Sequence, residues 1–548
     1  MPRLPFWLKA VLLAIPGLLL LVSFVFVVIG WYVSRQMGSS GGELRPAMAA
    51  YDVRHYALDV AVDPYGERIS GRNTISVDVV DETAVFEINL DDRLEVRKVS
   101  VDDRAVVYSH DDGLISVKLR TPWQTGQRRR IEIVYEGRPK KAIRPPWIDG
   151  FVWSETPSGE PWIGVTSEGS GGDSWWPCKD HPSDEPDLGM TITLTVPPGL
   201  VGLSNGRPLG ERRNEDGTLT SEWKVRGPIN NYGVSLNIGP YVPVEEVYRG
   251  VHGDRHETIV FWAIPEVIED ARRMWEQMPM LLEVYGRRFG EYPFLDDKLW
   301  AVHTPYLGME HQTLVAYGGD FTDTVYGFDW LLAHELAHEW WGNKVTASSW
   351  SDAWLHEGFA SYAEALVVLD TLGETRYRDY MTELRARMTN QSPMVKGPHP
   401  TSMEALVPDT YGKGAWVLHM LRFLLGGEAV DEILWRFADG DHPAVCRFAT
   451  SQDFIDLVAE YSDRELDWFW QRYLVTAELP VWTMTRRADR VVIAWDDPAF
   501  EMPLPVLVGE RRRLVAMPGG RAEIVVDPSL EVVVDPDGEV LADRGRQP

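Results

Sequence analysis

The sequence predicts a multidomain α+β protein with an N-terminal transmembrane helix, a large antiparallel β domain, a mainly helical domain and a small C-terminal β domain. Three observations carry that expectation. Residues 10–33 run for 24 positions without a charge. From about Tyr51 to Val244, stretches such as HYALDVAVD and RNTISVDVV alternate apolar and polar residues between Pro/Gly/Asp clusters, the period of half-buried strands. Near residue 262 the period changes to helical spacing, and after about Leu479 short β-like runs return.

Taken in order, the apolar run comes first. As a helix, 24 residues span ~36 Å, enough for the ~30 Å hydrocarbon layer. Phe6, Trp7, Trp31 and Tyr32 flank it, as interfacial aromatics do. A cleaved signal peptide would have a shorter apolar region and a small-residue site behind it, whereas Tyr32, Val33, Ser34 and Arg35 follow here. Arg3 and Lys9 precede the span and only Arg35 follows closely. The expected layout is a cytoplasmic N-terminus (1–9), a single-pass anchor (10–33) in the cell membrane, and the rest of the chain outside. Residues 34–48 read as a linker, with Gly38–Gly42 (GSSGG) as a flexible tether.

The β domain is expected over 49–245, the helical domain over 246–479, and the small β domain with its tail over 480–548. Within the helical part, periodic stretches fall around 327–342, 354–371, 411–425 and 451–474. RVVIAW, LPVLVGE, AEIVVD and LEVVVD supply the last strands.

With 82 acidic against 54 basic residues the formal charge is -28, which argues against a nucleic-acid partner. The two cysteines, Cys178 and Cys446, make no disulfide framework, and whether they pair is left open.

The strongest chemical signal is LLAHELAHEWWGN. Four residues apart on a helix, His334 and His338 project from one face, so both imidazoles can reach a single ion. Glu335 sits beside them, placed to take a proton from water at that ion. Glu357, nineteen residues after His338 in SDAWLHEGFASYAEAL, offers a carboxylate from a following helix. A catalytic zinc site needs such a third ligand and keeps one position open. Apolar Trp354, Leu355, Phe359 and Ala360 surround Glu357, where an unpartnered charge is costly. His356 points to another face and reads as a packing or supporting residue, and His303 and His311 as cleft residues.

On these motifs the chain resembles the gluzincin zinc aminopeptidases, the family of aminopeptidase N and the leukotriene-processing hydrolase, over roughly residues 50–475. The resemblance implies that 246–479 is a thermolysin-like peptidase domain holding one Zn2+ per chain. The family's Gly-x-Met-Glu-Asn segment matches Leu307-Gly308-Met309-Glu310-His311, 24 residues before His334 at Glu310. Glu310 would then bind the free amine of a peptide substrate, with Gly308 and Met309 lining its backbone. Leu307 and His311 depart from the family pattern. PDTYGKGAWVLHML is similar to the family's Tyr-x-Lys-Gly segment, which makes Tyr411 the donor to the oxyanion formed on attack. SWWPCKDHPSDEPD resembles the family's Pro-Cys-x-Asp-x-Pro segment. Counting back from Pro177, Glu168 falls where relatives place a helper for the amine, and Cys178 becomes a structural thiol.

The expected activity is therefore removal of N-terminal residues from peptides with a free N-terminus. Two alternatives stay open. The family's larger members carry a long helical cap, whereas about 70 β-like residues follow the catalytic region here, so a more open cleft could serve an endopeptidase. A membrane-tethered, catalytically silent binding protein is the other.

Overall fold

The computed structural model describes residues 39–439 and 447–545; the expected anchor over 10–33 and Cys446 lie outside them. No helix among the described residues is long and apolar enough to cross a membrane.

Alternation in the first half of the chain produces an eight-stranded sheet ordered Arg207–Arg213, Leu219–Val225, Met190–Val196, Tyr51–Asp63, Arg68–Val79, Arg128–Gly137, Leu94–Val101 and Arg104–Ala105. Tyr51–Asp63 and Met190–Val196 run parallel, Tyr56 opposite Met190; the sheet's remaining neighbours are antiparallel. The alternation is visible in the burial of Arg68–Val79, where Ile69, Ile75, Val77 and Val79 face inward. A second sheet, Val201–Ser204, Leu236–Gly239, Pro161–Thr166 and Gly150–Glu155, leads towards the helical half.

The helical half begins with its own five-stranded sheet: Val242–Tyr248, Glu257–Ala263, Trp300–His303, Leu314–Tyr317 and, at the edge, Gly308–Met309. Its first strand starts just before the expected boundary at 245/246. Among the described residues, eight helices of at least eight residues follow the apolar spacing: α1 (Ile268–Trp275), α2 (Met278–Phe289), α3 (Trp330–Ala337), α4 (Trp354–Leu372), α5 (Glu374–Arg385), α6 (Pro408–Leu425), α7 (Gly427–Ala438) and α8 (Ser451–Ala459). Gly373 and Gly426, with φ of 82° and 90°, end α4 and α6, where a side chain would be strained.

After α8, a four-stranded and a three-stranded sheet occupy residues 481–544. Their buried residues, among them Val491, Ile493 and Leu541, are continuous with the core of α4 and α6. Tyr473 donates to Leu541 O (2.9 Å) and Arg385 to Ala542 O (2.7 Å), which fastens these strands to the helices.

One expectation is overturned. The described part of the GSSGG stretch is no free tether: Ser40 is buried, and Gly41 bridges to Thr401. Small residues and a positive φ, 81° at Gly41 and 84° at Gly42, here permit close packing instead of flexibility.

Candidate active site

Asp329 starts α3 by accepting the Leu332 amide (3.1 Å), and the helix stops at His338. Within that single short helix, His334 Nε2 and His338 Nε2 come to 3.2 Å. Glu357 enters from the first turn of α4, its Oε2 lying 3.3 Å from His334 Nε2 and 3.4 Å from His338 Nε2. Each ring is held from behind. His334 Nδ1 is 2.7 Å from Glu364 Oε1, and His338 Nδ1 is 2.8 Å from the Trp341 carbonyl.

Both partners are acceptors, so each Nδ1 carries the hydrogen and each Nε2 presents a lone pair. Two imidazole lone pairs and a carboxylate then converge with no hydrogen between them, an arrangement that calls for a cation. Ligands at ~2.0–2.1 Å from a tetrahedral zinc stand about 3.3–3.4 Å apart, close to the separations here. The donor set fits the ion. Among the protein groups alone, burial works against charge on both imidazoles, but Glu357 and Glu364 lift His334 well above the usual histidine range. Glu357 lifts His338 to about 9. The two imidazoles in turn hold Glu357 well below the usual carboxylate range against its burial.

Glu335 shares this corner, its side chain pushed up to about 8 chiefly by burial. A Cβ at Gly308 would collide with its carboxylate, which is why the edge strand carries glycine there. Met309 is buried near Tyr232, Tyr306 and Trp350. Glu310 directly follows the edge strand, and its carbonyl accepts from Asn343 Nδ2 (2.9 Å).

Acceptor oxygens of Glu168, Glu310 and Glu357 lie within 4.8 Å of one another. Oε1 of Glu168 and Oε1 of Glu310 are buried and have no hydrogen-bond partner among the described residues. Burial first, and then the neighbouring carboxylates, raise Glu168 well above its ordinary range. Burial likewise raises Glu310, against the pull of His338. Such a cluster favours a cationic guest.

Tyr411 approaches from α6, its ring stacked at 6.1 Å and 20° on His334 and its hydroxyl beside Glu357. Two glycines permit this approach. A Cβ on Gly358 of α4 would lie 2.7 Å from Gly414 Cα of α6, and one on Gly414 would lie 2.6 Å from Gly358 Cα. Every site residue expected from the sequence thus lies in one cluster. Cys178 is a buried thiol of the β domain, away from this chemistry. His356 accepts from the Ala347 amide (2.7 Å), and burial lowers it to about 4. His303 is sandwiched between Trp162 and Phe321, and His311 is fully buried.

Three residues of the site escaped the sequence reading. Glu364 holds His334, and Tyr380 donates to the other oxygen of Glu364. Glu364 lies seven residues after Glu357, two helical turns along the same face, a spacing that could have revealed it. Tyr232 faces Glu310 from a β-domain loop, and no local pattern marks it.

A profile of the Peptidase family M1 domain matches residues 322–473. The chain is 24% identical over 384 residues to the leucyl aminopeptidase of Saccharolobus solfataricus, covering 65% of this chain and 45% of the relative. It is 38% identical over 278 residues to human endoplasmic reticulum aminopeptidase 2, covering 46% of this chain and 28% of the relative. The chain therefore spans less than half the length of either protein. A solved M1 zinc metallopeptidase mutant from Deinococcus radiodurans, bound to a Tyr-Ser-Ala substrate, shares the fold. Its TM-score is 0.64 at 23% identity, over 78% of this chain and 94% of the other. The segment matched by the family M1 profile carries both the helix of His334 and His338 and the helix of Glu357, so over its site the chain resembles the gluzincin aminopeptidases of peptidase family M1.

Proposed function

We propose that the protein is a zinc-dependent aminopeptidase that hydrolyses the first peptide bond of peptides with a free N-terminus. The observation that carries this reading is the position of the unpartnered Glu168 and Glu310 oxygens, beside the His334, His338 and Glu357 triad. An ammonium held by both carboxylates brings the first carbonyl of a peptide to the triad, so the amine anchor sets where cleavage falls.

His334, His338 and Glu357 would hold the zinc, which when bound polarises a carbonyl as a Lewis acid and brings water to a pKa near 7. Glu335 takes the proton of the attacking water and passes it to the leaving amine. Tyr411 stays protonated, because burial and nearby carboxylates push its hydroxyl well above its ordinary range. It donates to the oxygen on which negative charge develops. His334 and His338 keep their Nδ1 hydrogens on Glu364 and Trp341, which fixes both rings.

The proposal includes a single-pass anchor at 10–33, with the peptidase outside the membrane. The charge-free length of that run and the placement of Arg3 and Lys9 before it support this reading.

Full-length protein in detergent, given matched free and N-acetylated peptides with and without a zinc chelator, tests the reading. Chelator-sensitive release of the first residue from the free peptide alone is expected. Internal cleavage of both peptides would overturn it in favour of an endopeptidase. Zinc binding with no cleavage of a varied free-peptide library would favour the silent binding protein.

A further inference from the structure

Glu168 sits in a tight turn, closed by the Gly171 amide on Ser167 O (2.7 Å). One side of the turn is fixed by Asp149, which accepts the Ser170 amide (2.7 Å). The other side is fixed through the carbonyl of Gly169, the residue next to Glu168. That carbonyl accepts from Ser40 N (3.0 Å) and from Ser402 Oγ (2.5 Å). Ser40 and Ser402 are themselves joined, since Ser40 N approaches Ser402 Oγ (3.1 Å) and Ser402 N donates to Ser40 O (3.0 Å). Ser40 Oγ donates to Asp180 Oδ1 (3.2 Å) and accepts from Trp350 Nε1 (3.4 Å). Gly42 closes the strap, its amide on Pro400 O (3.2 Å) and its carbonyl 3.2 Å from His181 Nε2.

Besides Asp180 and His181, residues 40–42 thus join three segments that are distant in sequence. One is the Glu168 turn. The second is Trp350, seven residues before Glu357. The third is the stretch 400–402, nine residues from Ser402 to Tyr411. Trp350 also packs on Tyr232 (ring centroids 5.5 Å), the tyrosine that faces Glu310. Both carboxylates of the amine site are therefore within a contact or two of the strap. Gly41 is required for the fit: with φ at 81°, any Cβ there would overlap the Trp350 indole.

We propose that Ser40 and Gly41 are positioning residues for recognition of the substrate amine, acting through Gly169 on Glu168 and through Trp350 and Tyr232 on Glu310. The proposal rests on the aminopeptidase reading for its kinetic consequence, while its structural consequence stands apart from it. Because the zinc ligands are anchored by Glu364 and Trp341 rather than by the strap, amine binding should suffer before chemistry does.

The test compares Gly41→Ala and Ser40→Ala with wild type, all as full chains, by peptide kinetics, zinc content and amide hydrogen exchange. For Gly41→Ala the KM of a free-amine peptide should rise about tenfold while kcat falls less than about threefold, a misplacement effect. Exchange should quicken over 167–171 and 401–402, with exchange over 330–338 and zinc content unchanged. Ser40→Ala, the milder change, should give the same pattern at about threefold in KM, and it decides the matter if Gly41→Ala does not fold. Unchanged exchange over 167–171, or kcat falling as much as KM rises together with zinc loss, would overturn the proposal. If wild type itself cleaves no free-amine peptide, the aminopeptidase reading fails, and the exchange result alone decides whether the strap holds the turn.

Discussion

The Nδ1 of His334 lies 2.7 Å from Oε1 of Glu364, and the other oxygen of that carboxylate takes the Tyr380 hydroxyl. Glu364 thereby fixes which nitrogen of His334 faces the metal position. Replacing it with Gln lets the ring turn or change tautomer. Zinc affinity should fall about 10–100-fold in Glu364→Gln. Competition with a chelator of known affinity measures this, and an unchanged affinity would remove Glu364 from the support of the site.

In the proposed mechanism Glu335 carries a proton and does not hold the ion. Glu335→Gln should bind zinc as wild type does and lose about 10²–10⁴ in kcat. Metal analysis alongside initial rates separates the two properties. Retained turnover would show that another group is the base.

Tyr411→Phe removes a hydroxyl beside Glu357 and keeps the ring on His334. The expected loss is about 10²–10³ in kcat with little change in KM, as for an oxyanion donor. Should KM rise instead with kcat intact, Tyr411 belongs to ground-state binding.

The Gly358 and Gly414 contact sets the spacing of α4 and α6. Gly414→Ala adds a methyl where backbone already stands, so overpacking should cost about 1–3 kcal/mol. It should also carry Tyr411 away from Glu357. Thermal unfolding and kcat are predicted to fall together, and a variant stable and fully active would show that the helices can part without consequence.

Glu185 is buried beside Thr346, and burial raises it from 4.5 to about 8. Its folded-state affinity for the proton exceeds the unfolded one, so its contribution is full below the unfolded value. It is lost as pH rises towards 8. Glu185→Gln stays neutral throughout. The variant should gain Tm on wild type between pH 5 and pH 8, by an amount on the order of a few degrees. Parallel Tm curves across that range would contradict the shift.

Much of the site was legible because its spacing is local. His334, Glu335 and His338 share one helix, so a periodicity argument suffices to put them on one ion. Glu357 followed from its helix and its apolar surroundings. Glu310, Glu168 and Tyr411 were read by resemblance, since nothing local distinguishes a buried acid in a cleft from a solvated one. Tyr232 was missed because its role depends on which loops meet. The tether reading of GSSGG failed for a related reason: glycine and serine favour a flexible linker in isolation, yet the same small residues fit a crowded junction.

By itself the sequence determined the alternation that builds the β half, the apolar spacing of the helices, and a metal-binding pair at a fixed offset. These are short-range consequences of residue type and period. Only the tertiary structure decided that the carboxylates of Glu168 and Glu310 converge beside the triad, that two glycines bring Tyr411 to it, and that Ser40 bonds the turn carrying Glu168. Those relationships join residues tens to hundreds of positions apart, and they arise when sheets and helices pack to bury their apolar faces. No local pattern encodes which polar groups that packing will bring together.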